Sequence, residues 1–540
     1  LDIALQVALL LNSHPVDEIQ VMRKIVIDGS NTTGFQRTAL VSLGGYIEVE
    51  TKKKIRIQSV SLEEDAARKT SEAKGEVVYR LDRQGIPLVE VATNPEIYSP
   101  EEAEMVAYKI GQLLRATGKV KRGLGTIRQD VNVSVKDGAL VETKGVQELG
   151  LLGKVVELEV QRQKNLIWIR DELRKRGVKK EDIKGEAIDV SQMLKDSKSK
   201  VLRKSLDQKG VVLSTLLPRF AGLAGKEIQP GRRLGTEMSE RAIFRGGVGG
   251  IFHTDELPAY GITEEEVRKL REKLNAGKDD LIIIVADQLE RAMDAIGAVA
   301  ERAREALEGV PEETRGARPD GTSQYSRPKP GSARMYPETD IPVVEVTQDR
   351  IRKIQEALPE KPEKKLDRFL NQHKLSKELA EAMIRSYHLD LYENIVGKMK
   401  TIPPVLVATT LESTWRNLKR EGIPVESIGD DKVEEVFKEL GTGNVAKEAI
   451  PEILSFLARD QSATVRDATE KLGIKGVSQE ELNAVVDEVI KKNLSLIKER
   501  KMEALKPLMG DVMKQLRGKV DGRTVSETLR RKLELATRSP

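Results

Sequence analysis

The period of the hydrophobic residues changes along this chain, and that change limits the architectures open to it. Residues 20 to 145 carry strand-type runs separated by Gly and Asn turns, among them "IQVMRKIVIDG", "TALVSLGGYIEV" and "IPLVEVATNPE". One helix interrupts them: "SPEEAEMVAYKIGQLLRATG" opens on Ser99 as N-cap with Pro100 first in the helix and Glu102 three residues after the cap, and it closes on Gly118. From 146 to 207 the pattern is helical and charged. Residues 211 to 305 return to mixed strand and helix, including the strand "DDLIIIVAD". Beyond 347 the pattern is helical almost to the end, with breaks at 402 to 405, 422 to 424 and Gly476. This order predicts an α+β chain: a mixed β-sheet domain, an inserted small α+β domain and an all-helical C-terminal region. A Gly/Pro-rich bridge, "RGARPDGTSQYSRPKPGSARMYPETDIP", reads as a boundary or a functional loop.

A chain of 540 residues is too long for one core, and three or four domains are expected. No apolar run approaches the roughly 18 residues of a membrane span. The opening stretch "LDIALQVALLLN" is interrupted by Asp2 and Gln6 and reads as an amphipathic helix, not a signal peptide. There is no cysteine, which excludes disulfides, thiolate zinc sites and cysteine nucleophiles and fits a cytoplasmic location. Net charge is only +5, yet residues 491 to 540 hold 14 Lys/Arg against 6 Asp/Glu, so the basic character lives in the tail. A basic appendage on a near-neutral body fits a polyanion, nucleic acid first, although a solvated helical face explains the charge equally well.

Three carboxylates, Glu63, Glu64 and Asp65, stand together in "SLEEDAARK" and repel one another unless a cation, a proton or basic neighbours offset them. Glu90 interrupts the apolar strand "IPLVEV", where either a metal or an Arg such as Arg80 or Arg83 must compensate it. In "TIRQDVNVSV", Arg128, Asp130, Asn132 and Ser134 share one face and Ile127, Val131, Val133 and Val135 the other. A three-residue loop with left-handed Gly138 pairs Asn132 with Glu142 and Asp130 with Lys144 and makes the polar faces coincide. Carboxylates for a hard divalent cation then lie beside basic groups for phosphate, the minimum kit for phosphoryl transfer. No Walker loop is present; "DGSNTTGFQRT" offers backbone NH groups, hydroxyls and Arg37, or is simply a polar hairpin turn. The four histidines have no partner at metal spacing, and no serine nucleophile elbow is visible.

The runs "MRKIVIDGSNTTGFQRT", "LEEDAARK", "YRLDRQGIPLVEVATNPE", "GLGTIRQDVNVSV" and "VETKGVQEL", in this order, resemble the B/E family of tRNA-dependent amidotransferase subunits. "RMYPETDIP" and an insertion like that of bacterial-type aspartyl-tRNA synthetases look like its archaeal E form, and "MGDVMKQLRGKVDGRTVSETLRRKL" is similar to the family's helical C-terminal domain. The resemblance implies a catalytic cradle at residues 1–207, the insertion at 208–310, a return to the cradle and a helical linker at 311–400, and a tRNA-binding tail at 401–540. It implies ATP-dependent phosphorylation of the glutamyl side chain of Glu-tRNA(Gln), then amidation with ammonia from an asparaginase-like D subunit. It maps metal-binding glutamates onto Glu64 and Glu90, with Mg²⁺ as the metal. It maps the remaining catalytic cradle motifs onto Arg128, Asp130, Asn132, Glu142 and Lys144, where Arg128 and Lys144 supply charge and Asp130 and Asn132 positioning. Ser30, Asn31 and Arg37 are the expected ATP contacts, and Lys514, Arg517, Lys519, Arg523, Arg530 and Arg531 the expected tRNA contacts. Leu1 falls inside a helix, and the family's cradle strand with Glu-x-His-type metal ligands is missing ahead of it, so the cation site is expected to be incomplete. A non-catalytic tRNA-binding scaffold is the second reading, and an aspartyl-tRNA synthetase relative, resting on 211 to 305 alone, the last.

Overall fold

The computed structural model describes residues 1–49, 52–73, 76–121, 125–329, 334–474, 479–516 and 522–538. It divides into two compact units, Leu1–Pro359 and Glu360–Pro540. The first unit runs from helix α1 (Asp2–Leu10) through strands β1 (Val21–Ile25), β2 (Phe35–Leu43), β3 (Lys54–Glu64) and β4 (Pro87–Thr93) to helix α2 (Pro100–Ala116). Strands β5 (Gln129–Val133) and β6 (Val141–Val146) and the long helix α3 (Leu149–Lys175) follow. The inserted body contains β7 (Val211–Leu217), α4 (Leu234–Gly246), β8 (Leu281–Asp287) and α5 (Leu289–Glu308). The chain then returns through β9 (Glu313–Ala317), β10 (Ser323–Pro328) and β11 (Met335–Pro337).

Strands β11, β1, β2 and β3 lie in that order in a seven-stranded sheet, with Tyr46–Glu48 beyond β3 and with β4 also pairing β3. One face of this sheet is core: Ala39, Val41, Ile55, Ile57 and Val60 are buried, and Val89 and Val91 pack with them against α1 and α2. Ser99 caps α2 by accepting from the Glu102 amide, as its sequence predicts, and Gly118 takes the left-handed conformation that ends the helical segment.

The second sheet has the order β5, β6, β9, β10. Asn132 pairs Glu142 as expected, but pairing stops at Val133 and Val141 and the left-handed residue is Asp137, not Gly138. Asp tolerates that conformation because its short polar side chain can bond locally. The end of the inner strand β9 and the whole of the outer strand β10 come from the Gly/Pro-rich bridge, as does β11, so its described residues are largely strand rather than boundary or loop. The bridge returns the chain to both sheets.

In the insert, β7 and β8 pair antiparallel between two apolar layers. Leu213, Leu217, Ile283 and Val285 face α3, α4 and α5, whereas Val212, Ile282 and Ile284 face Leu202 and Leu270 on the other side. Burial on both faces explains why "LIIIVA" shows no alternation. Ile188–Asp189 pairs β7 and helix Lys200–Asp207 packs on it, so this body begins before residue 208.

Under β9 lies a cluster of charges. Arg162 of α3 reaches Glu237 of α4 at 2.5 Å, Glu313 of β9 at 2.6 Å and Glu159 at 2.9 Å. Arg302 of α5 binds Glu237 at 2.7 Å, and Arg315 binds Glu237 at 3.1 Å and Glu313 at 2.5 Å. All six side chains are buried. The surrounding guanidinium groups outweigh desolvation and hold the carboxyls of Glu237 and Glu313 below the usual range, while burial dominates at Glu159 and raises it.

The second unit is helical throughout its described residues. One core joins Phe369, Tyr392 and Ile395 to Val407, Leu411 and Ile453, so it begins well before residue 401. A separate cluster, including Leu482, Val512 and Leu529, holds the tail helices Gln479–Lys492, Leu505–Leu516 and Gly522–Arg538 together. The expected break at Gly476 lies outside the described residues. Among the described residues no helix is long and apolar enough to cross a membrane.

Replacing Glu237 with Gln leaves three buried guanidinium groups short of a counter-charge. Chemical denaturation is expected to show the first unit losing about 3–5 kcal/mol, the usual cost of breaking a buried ion pair.

Candidate functional site

Strand register decides which of the charged residues meet. Ser61 pairs Glu90 and Glu63 pairs Leu88, so Glu63 and Glu90 share the face opposite the core. Lys24 of β1 reaches Glu63 at 3.0 Å on this face, and Gln36 of β2 approaches the same carboxylate at 3.4 Å. Glu64, one residue on, points to the other face and pairs with Arg37 at 3.2 Å. The two expected metal ligands, Glu64 and Glu90, are therefore on opposite faces of the sheet, and the acid that accompanies Glu90 is Glu63. Each member of the acidic run has its own cation: Lys24 for Glu63, Arg37 for Glu64, and Arg128 at 3.0 Å for the buried Asp65.

The second sheet supplies the rest. Lys144 binds Asp130 at 2.8 Å and Glu142 at 3.1 Å, and Thr314 of β9 donates to Glu142 at 3.0 Å. Asn132 is exposed beside Glu142 in the same polar row. Desolvation alone would lower the proton affinity of Lys144, but Asp130 and Glu142 outweigh it and keep the amine cationic.

Glu90 is the member left uncompensated. Neither Arg80, which pairs with Asp82, nor Arg83, which sits near Asp65, reaches it. It has no hydrogen-bond partner among the described residues. The residue is open to solvent, yet the surrounding protein strips part of its hydration and, with Glu63, raises its proton affinity; Lys24 and Lys144 pull the other way. Glu90 of the first sheet and Lys144 and Asp130 of the second thus belong to one electrostatic site.

Ser30 and Asn31 lie in the β1–β2 loop. Ser30 gives its hydroxyl to Asp28 at 2.6 Å, its carbonyl accepts from the Ala67 amide, and Asn31 is buried. These groups close the loop on itself and under the segment after Asp65. Arg37 stands on the face away from Glu90, between Glu64 and Glu338. Glu338 stands within the run "RMYPETDIP", where nothing in the sequence singles it out. Its side chain is fully shielded, binds Arg37 at 2.8 Å and also pairs with Arg23. The hydrogen bond from Arg23 leads the effects that pull its carboxyl down to about 2.

Of the tail residues, Lys514, Arg530 and Arg531 are exposed on described helices. Arg517 and Lys519 lie outside the described residues, as does the side chain of Arg523. Among the described residues no three His, Asp or Glu side chains are grouped as a ready-made metal cage.

Two sheets meeting at a mixed-charge face define a class that comparison makes definite. Residues 1–352 match the family model described as the GatB/GatE catalytic domain, and residues 390–533 match the one described as GatB domain. The chain belongs to the GatB/GatE family. It is 53% identical over 535 residues to the E subunit of glutamyl-tRNA(Gln) amidotransferase from Methanocaldococcus jannaschii, covering 99% of this chain and 84% of that relative. The E subunit from Methanococcus maripaludis is 48% identical, with coverage of 99% and 84%, and that from Pyrococcus abyssi 49% identical, with coverage of 99% and 83%. Within the family, this places the chain with the E subunits.

Glu338 is lowered from an ordinary 4.5 to about 2, so its contribution to stability is present above the ordinary value and is lost as pH falls towards 2. Glu338→Gln is expected to melt below the wild type at pH 7, and the gap between their Tm values should close across pH 4.5 to 2.

Proposed function

We propose that this chain is the subunit of a cytoplasmic tRNA-dependent amidotransferase that activates and amidates the glutamyl group of Glu-tRNA(Gln), giving Gln-tRNA(Gln). The names of its E-type relatives support the substrate. The single observation that supports the chemistry is that Glu90, Glu63 and Lys24 share one face of the first sheet within electrostatic reach of Asp130 and Lys144 of the second. A carboxylate is a poor acyl donor until one oxygen becomes a good leaving group. In the proposed first step the glutamyl γ-carboxylate oxygen attacks the γ-phosphorus of ATP, and the bond to ADP breaks. In the second, ammonia from a partner, an asparaginase-like D subunit, attacks the acyl carbon, a proton is lost and phosphate departs.

Lys144 and Lys24 offer positive charge to the phosphoryl oxygens, where preorganised charges are most effective. Asp130 and Glu142 fix Lys144, Asn132 extends the same polar row, and Asp65 ties Arg128 to the first sheet. An uncompensated carboxylate beside a second one fits a hard divalent cation, so Glu90, with Glu63, would hold Mg²⁺. When bound, Mg²⁺ would neutralise phosphate charge. In the second unit, exposed Lys514, Arg530 and Arg531 would grip tRNA through phosphates, which position the substrate without reading its sequence.

Purified with its partner and supplied with Mg²⁺, the protein should hydrolyse ATP only when Glu-tRNA(Gln) is present, and Glu90→Gln should lower that rate about 100-fold or more. The substitution should not lower Tm at neutral pH. A carboxyl whose proton affinity is raised by folding stabilises below its unfolded pKa and loses that contribution as pH rises through the folded one. Tight tRNA binding without hydrolysis by the wild type would instead support the scaffold reading. Replacing Lys514, Arg530 and Arg531 together with Ala should reduce the slope of log affinity against log salt by about three.

A further inference from the structure

At the far edge of the first sheet from β11, an open cavity of about 770 Å³ is lined by Asn12, His14, Tyr46, Lys54, Arg56 and Tyr98, among others. Its walls carry Lys53, Lys54 and Arg56 with Glu96; Lys53 and Arg56 each pair with a carboxylate, which leaves Lys54 as the open cation among the described residues. Tyr98 is 81% exposed, so most of its ring is open to a ligand. Lys53 lies 4.7 Å from the centre of its ring and is itself fixed, donating to the Glu96 carbonyl at 2.7 Å and to Glu102 at 2.6 Å. Glu102 also accepts from the Tyr98 amide at 2.8 Å. The ring therefore has a built pedestal. Lys54 rests over Tyr46 at 4.3 Å and has no carboxylate within ion-pair distance among the described residues. Arg56 is held by Glu96, which supports its own backbone amide at 2.9 Å.

The cavity is not isolated from the site. Arg56 and Ser61 both belong to β3, and Ser61 is the residue that pairs Glu90. Ile55, Ile57 and Val60 are buried on the core side, the bulge between Ile57 and Ser59 keeping the later residues in step, so Lys54, Arg56, Ser61 and Glu90 all lie on the outer face. Five residues of strand separate Arg56 from Ser61, roughly 17 Å. A cationic concavity with a propped, open aromatic ring is the chemistry that takes single-stranded nucleic acid: phosphates on the cations and a base on the ring.

We propose that this cavity is an RNA subsite that holds the unpaired 3′ strand of the charged tRNA, with a base stacked on Tyr98 and a phosphate at Lys54, while the aminoacyl end reaches Glu90. The proposal rests on the amidotransferase reading and adds the surface that delivers the substrate. A few unpaired nucleotides span the distance between the two places.

The test uses the complete amidotransferase carrying Tyr98→Ala, Tyr98→Phe or Lys54→Ala. Tyr98→Ala should raise KM for Glu-tRNA(Gln) about tenfold with kcat retained, and Tyr98→Phe, which keeps the stacking surface, should restore it. Lys54→Ala should lower the salt slope of tRNA binding by about one. In direct binding, the gap between wild type and Tyr98→Ala should vanish with tRNA trimmed of its unpaired 3′ nucleotides. An unchanged KM in an active enzyme overturns the proposal, as does a defect confined to assembly with the partner, which would make this a protein interface. A wild type with no tRNA-dependent turnover at all would instead overturn the amidotransferase reading.

Discussion

The buried contact of Arg162 with Glu237 and Glu313 is the constraint on which the first unit depends. It joins the middle of α3 to α4 of the insert and to β9 of the second sheet, three elements far apart in sequence. Four arginines, 162, 241, 302 and 315, meet four glutamates, 159, 237, 305 and 313, so the region is neutral as a group although each member is expensive to bury alone. Hydrophobic contact between a helix and a sheet tolerates sliding. A guanidinium bridging two carboxylates does not, because its donors have fixed directions.

That rigidity reaches the site through strand alternation. On β9, Glu313 and Arg315 face into the charge cluster, whereas Thr314 between them donates to Glu142 on the opposite face. Glu142 in turn helps fix Lys144, whose charge acts on Glu90 across the gap between the sheets. One strand thus carries the anchor for the inserted body on one side and the support of the cationic Lys144 on the other. An insertion fastened in this way stiffens the site without contributing a side chain to it.

Local pattern carried much of this in the sequence. The period-two alternation of residues 127 to 135 was enough to predict which side chains of β5 are outward and that Asn132 meets Glu142. The cap of α2 was equally readable, because both depend on neighbours a few residues apart. That Glu63, and not Glu64, shares a face with Glu90 was not, since two strands must be aligned before a face can be assigned, and a one-residue step moves Glu64 to the other side. The charge cluster left no trace in the sequence for the same reason. Arg162 sits in "VQRQKN", a stretch indistinguishable from a solvated helix until α4 and β9 cover it.

The site's charge arrangement also explains how the chain bears three adjacent carboxylates. Because Glu63, Glu64 and Asp65 each find a different cation, Lys24, Arg37 and Arg128, their mutual repulsion is offset within the fold. Glu90 lacks such a partner and has its proton affinity raised by its surroundings. If stability alone shaped the sheet, a neutral residue would serve better there. An acid kept uncompensated near two lysines, on an otherwise balanced surface, is the pattern on which the proposed cation site rests. Among the acids of this face, Glu90 is the one the fold leaves without a partner among the described residues.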